Sequence, residues 1–68
     1  MKSIYDIQQY LKSFGTIMYI GDRVADLEMM ESEVMELYRS QLMEPREYET
    51  AILILRQEIR LQKDKQKH

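Results

Sequence analysis

Four basic residues, Arg56, Arg60, Lys63 and Lys67, recur at i, i+4, i+7 and i+11 near the end of the 68-residue chain. On an α-helix that spacing keeps them on one flank about 16 Å long, at about 1.5 Å per residue. Such a cationic strip suits the phosphates of a single nucleic-acid strand, with tyrosine rings stacking on unpaired bases. Tyr19, in a central apolar segment, and Tyr5, beside Lys12 on the outer side of the first helix, are the candidate rings. With Lys12 and Arg23 as further cations, the nucleic-acid-binding set is Lys12, Tyr19, Arg23, Arg56, Arg60 and Lys63. A plainer account stands beside it. Basic residues near a helix C-terminus complement its dipole, and Arg23 can pair with Asp26 at i, i+3.

Other chemistries find little footing. Six carboxylates lie between Asp22 and Glu36, but Asp26, Glu33 and Glu36 are expected on the side away from the apolar stripe, and catalytic carboxylates need a pocket that separates their pKa values. With no cysteine and one histidine, His68 at the last position, there is no thiolate nucleophile, disulfide, Cys-zinc site or histidine cluster. The expectation is a non-enzymatic protein with no metal and no cofactor, in a reducing cytoplasm.

Net charge is −2, distributed as +1 over residues 1–21, −6 over 22–50 and +3 over 51–68. An acidic chain is a poor coat for nucleic acid in bulk, whereas a local basic strip still works. The longest uncharged run, Ser13 to Gly21, has nine residues, far below the roughly 20 that span a bilayer. No membrane partner is expected. One lysine followed by an early acid at the N-terminus also argues against a secretory signal.

The elements that must position these residues are helical. Ser3 and Asp6 resemble a capping box opening helix one, whose Ile4, Ile7, Tyr10, Leu11 and Phe14 share one arc before Gly15 ends it. Thr16 to Ile20 is β-branched and aromatic and reads as a buried, extended strap between Gly15 and Gly21. Asp22 caps helix two, which runs to about Ser40 with Val24, Leu27, Met30, Val34, Leu37 and Tyr38 inward and Met29 on the wrong side. Glu31 intrudes on that face and is read as a side chain snorkelling from its edge. Pro45 and Glu47 start helix three, with Tyr48, Ala51, Ile52, Leu55 and Ile59 as its stripe. Ile54 and Leu61 widen that stripe, either packing inside a three-helix bundle or forming a dimer seam. Residues 1–61 make one domain, and Gln62 to His68 form a basic tail that frays. The fold class is all-α: a small three-helix bundle with a glycine-bounded connector between helices one and two.

At Ile4-Tyr5-Asp6-Ile7-Gln8-Gln9, Phe14-Gly15-Thr16-Ile17, Tyr19-Ile20-Gly21-Asp22-Arg23, Ala25-Asp26-Leu27-Glu28 and Ala51-Ile52-Leu53-Ile54-Leu55-Arg56, the chain closely resembles the YqgQ family of small proteins from Bacillus-like bacteria. The match covers about residues 1–61, and its Phe-Gly-Thr and Gly-Asp-Arg segments make it specific. The resemblance implies a cytosolic three-helix bundle and brings no catalytic residues to carry over. Two readings of function stand: a module for single-stranded nucleic acid built on the basic flank, or a protein-interaction module or homo-oligomer using Ile54, Leu61, Met29 and the acidic helix two.

Overall fold

A computed structural model describes residues 1–15 and 21–66. Within them the chain forms three helices, α1 (Ile4–Ser13), α2 (Arg23–Arg39) and α3 (Pro45–Gln66), and no strand. The expected strap, Tyr19 included, lies outside the described residues, as do Lys67 and His68.

Each helix starts on a side chain that satisfies otherwise unpaired amides. The Ser3 hydroxyl accepts from the Asp6 amide at 3.3 Å, and the Asp6 carboxylate accepts from the Lys2 amide at 2.9 Å. Asp22 Oδ1 accepts from the amides of Val24 and Ala25 at 3.0 and 3.2 Å. At the start of α3, the Glu44 amide donates to Glu47 Oε1 at 3.3 Å while Pro45 has no amide to satisfy. The helix ends are as local as the starts. Gly15 takes φ +70° just past α1, where its amide donates to the Lys12 carbonyl at 2.9 Å. Gly21 takes φ +94° just before the Asp22 cap.

The end of α2 was not marked by a glycine. Gln41 adopts φ +62°, its amide donates to the Tyr38 carbonyl, and the Leu42 amide donates to the Leu37 carbonyl at 2.9 Å. These two bonds form a Schellman motif with glutamine in the left-handed position that glycine occupies most comfortably.

α2 and α3 make the principal interface, and α1 packs against both. Leu27, Met30, Val34 and Leu37 from α2 meet Ala51, Ile52 and Leu55 from α3, and α1 contributes Ile7 and Leu11. Met43, within the turn and part of no helical stripe, is also buried in this core. Ile54 packs against the core as well, so the wide stripe of α3 is used inside the bundle at that position. α3 continues five residues beyond Leu61, to Gln66.

Four expectations are corrected. Phe14 is 41% exposed because it follows the last helical residue, so the arc extrapolated from α1 no longer aims it inward; its ring lies against Tyr10 at 5.4 Å. Tyr38 is also exposed and stacks on Tyr48, with ring centroids 4.2 Å apart and planes 9° from parallel. Asp26 is 7% exposed instead of solvated. At about 100° per residue it falls only about 20° from Leu37, on the buried face. Met29, expected outside, is half-buried.

α1 is tied to the far turn by one polar contact: the Tyr10 hydroxyl donates to the Leu42 carbonyl at 3.0 Å. Burial raises the Tyr10 pKa, and the Glu47 and Glu44 carboxylates add to the effect.

Two outcomes follow. Gln41→Gly relieves the left-handed conformation and is expected to stabilise the fold by about 1 kcal/mol, seen as a rise of about 4–8 °C in the thermal midpoint. The folded chain holds the Tyr10 proton more tightly than the unfolded chain. Stability from this group is therefore complete below about pH 10 and lost as pH climbs past the raised value. Urea melts at rising alkaline pH should show a steeper loss for the native chain than for Tyr10→Phe.

Candidate nucleic-acid interface

The side chains of the basic flank stand along one edge of the α2–α3 seam. Arg56 Nε donates to Glu31 Oε2 at 3.3 Å, and Lys63 Nζ lies 3.9 Å from Glu28 Oε2. With the Tyr38–Tyr48 stack these make three rungs whose numbers fall on α2 as they rise on α3, so the two helices run antiparallel. The α2 side of the ladder has a simple origin. Glu28, Glu31, Met35 and Tyr38 repeat the 3-4-3 spacing of the core residues Leu27, Met30, Val34 and Leu37, one position later. That places them about 100° round the helix, at the border between core and water.

Glu31 was expected to snorkel from the edge of the apolar face, and the edge is where it lies. Its reach ends on Arg56, so the carboxylate that looked like an intruder is the partner of the first cation in the strip. Both side chains of the Glu28–Lys63 pair are more than half exposed, and Arg56 is more exposed than Glu31. Exposed pairs of this kind are worth about 0–1 kcal/mol each.

Of the six candidate binding residues, the helix gathers Arg56, Arg60 and Lys63 on one exposed flank about 10 Å long. Arg60 takes part in no ion pair among the described residues. Lys12, in the last turn of α1, and Arg23, in the first turn of α2, are exposed, and no hydrogen bond or ion pair among the described residues ties either to that flank. Tyr19 lies outside the described residues.

The aromatic group that does lie close to the flank is Tyr48. A shallow groove on the outer side of α3 is lined by Tyr48, Glu49, Ile52, Leu53 and Arg56. Leu53, at 70% exposure the most exposed large apolar side chain described, was not singled out from sequence. The signal was present: it sits two residues from the buried Leu55, hence about 200° round the helix from the core stripe. Among the described residues, no three His, Cys, Asp or Glu side chains gather in a way that would hold a metal ion.

The strength of the first rung can be measured directly. A double-mutant cycle on Glu31→Gln and Arg56→Gln should give a coupling energy of about 0.2–1 kcal/mol in low salt, shrinking as salt is added. A coupling that ignored salt would mean the pair is not solvated as described.

Comparison with known proteins agrees with the family resemblance drawn from the sequence. The chain is 42% identical over 59 residues to the protein named "Uncharacterized protein YqgQ" of Bacillus subtilis (strain 168), an alignment spanning 87% of this chain and 83% of the relative. The family model described as YqgQ-like matches residues 1–61, from the opening of α1 to Leu61 in α3, and on both grounds the chain belongs to the YqgQ-like family.

Proposed function

We propose that this chain is a non-enzymatic module that holds single-stranded nucleic acid along the exposed flank of α3. The observation that carries the reading is the shared groove: Tyr48 and Arg56 line it together, and Arg60 and Lys63 continue the flank toward the C-terminal end of the helix. A base laid against the part of the half-buried Tyr48 ring that Tyr38 leaves uncovered would have its phosphates within reach of guanidinium groups, the pairing of stacking platform and cationic track that single-strand binders use. Tyr48 takes the stacking role, and Lys12 and Arg23 serve as peripheral cations. The reading places the chain in the cytoplasm.

The glutamates set the cost. A phosphate arriving at Arg56 or Lys63 meets Glu31 or Glu28 already there, and must displace or share that contact. Because the exposed pairs contribute about 1 kcal/mol or less, the exchange is inexpensive, but the neighbouring negative charge keeps affinity low and strongly dependent on salt.

No helix among the described residues is long and apolar enough to cross a membrane. The chain has no cysteine, and no metal-holding group is present among the described residues.

The test is fluorescence anisotropy of a labelled mixed-sequence single-stranded oligonucleotide titrated with the protein between about 50 and 200 mM salt. Three phosphate contacts predict a slope of log affinity against log salt of about −2, and Arg56→Ala with Arg60→Ala should make it shallower by about 1.4. Both residues are exposed, so helicity should survive the change. An unchanged slope in the double variant would remove α3 from the interface. Absence of binding at either salt would turn the search to protein partners, a reading that the exposed Leu53 favours.

A further inference from the structure

The groove that carries Tyr48 and Arg56 has a second property, independent of any nucleic acid: it is complementary to itself. Its lining, Tyr48, Glu49, Ile52, Leu53 and Arg56, sets an acid at its N-terminal side, a base at its C-terminal side and Leu53 between them, 70% exposed. Glu49 and Arg56 are seven residues apart, about 10 Å along the axis, and neither is paired with the other. Glu49 takes part in no ion pair among the described residues.

We propose that two copies of this chain associate through α3, antiparallel, about a two-fold axis at Leu53. The argument is one of distances along a helix. Glu49 lies about 6 Å to the N-terminal side of Leu53, and Arg56 about 4.5 Å to its C-terminal side. Turning a second copy end for end about Leu53 brings its Arg56 to within about 1.5 Å, in axial position, of the first copy's Glu49. The symmetry repeats that contact, so one axis generates two ion pairs flanking a Leu53–Leu53 contact, with Ile52 and Tyr48 filling the sides. In a parallel pairing Glu49 would meet Glu49 and Arg56 would meet Arg56, so charge selects the antiparallel arrangement. Arg56 can serve two carboxylates at once. Its recorded contact to Glu31 is made through Nε, which leaves the terminal guanidinium nitrogens for the partner copy.

The contact is a single helix face, smaller than the roughly 800 Å² per partner of a standard stable interface, so the association is weak and concentration-dependent. It shares Tyr48 and Arg56 with the proposed nucleic-acid flank, yet the two readings fail separately, because self-association is measured without oligonucleotide and depends on Leu53 and Glu49.

Sedimentation equilibrium between about 10 μM and 1 mM should show the apparent mass rising from 8.3 kDa toward twice that value. Leu53→Glu should hold the chain at the monomer mass with its helicity intact, since the residue makes little contact within its own bundle. The decisive experiment uses two charge reversals. Glu49→Arg alone and Arg56→Glu alone each place like charges in both contacts of the pair and should be monomeric. An equimolar mixture of the two variants restores an Arg–Glu pair at both contacts and should form a mixed dimer with at least the affinity of the native pair. Misfolding cannot mimic that recovery. A native chain monomeric across the whole range, a dimer indifferent to Leu53→Glu, or a mixture that stays monomeric would each overturn the proposal.

Discussion

The register of α2 against α3 is the constraint on which the rest of this structure depends, and it is set in the short turn from Ser40 to Glu44. The paired bonds that close α2 over Gln41 and Leu42 stop that helix, Met43 drops into the core, and Pro45 begins α3 with its φ already suited to a helix. A slip of one residue would turn α3 by about 100° relative to α2. Leu55 would leave the core, and Arg56 would part from Glu31. Core, ladder and basic flank are thus one geometric fact seen at three bearings around the same two helices.

Against this hairpin, α1 has a lighter hold. It supplies Ile7 and Leu11 as fully buried residues and joins the turn through Tyr10, so much of its attachment depends on features outside its own sequence. In a chain this short only about 60% of the unfolded surface is buried on folding, and each helix must therefore be well started locally. The capping side chains of Ser3, Asp22 and Glu47 do that, at about 1 kcal/mol for a typical cap. Gln41 goes the other way, holding a left-handed conformation where glycine would be easier. The gain is a turn that stays in place through Leu42 and Met43.

What was legible in the sequence follows from range. Caps, glycine turns and the proline start depend on neighbours two to four positions away, and Ser3, Gly15, Gly21, Asp22 and Pro45 are all found doing what their types suggest. Stripe residues such as Leu27, Val34 and Leu55 depend only on helical period and were equally readable. Errors arose where a helix's own arithmetic gave way to its ends or to its neighbours. Phe14 lies past the last turn. Asp26 shares a bearing with Leu37, and polarity alone suggested otherwise. Tyr38 turned out to face Tyr48, a ring on another helix that no single-helix pattern could disclose. The candidate site was legible in part: the spacing of Arg56, Arg60 and Lys63 does put them on one flank. Their glutamate partners and the neighbouring Tyr48 required the register of α2 against α3.

The same register explains why an acidic protein can present a basic edge at all. The glutamates of α2 and the cations in the C-terminal half of α3 lie on adjacent, antiparallel surfaces, so each cation that faces the seam finds a carboxylate within 4 Å or lies one turn from one that does. Such a surface is not a fixed positive patch. It is a set of exposed pairs whose members can be taken up by whatever offers the better counter-charge, and screening by about 0.15 M salt acts over about 8 Å, a distance comparable to the spacing of the rungs. The proposed binding would therefore depend less on total charge than on shape near Leu53 and Tyr48, where apolar contact adds what exposed ion pairs do not supply.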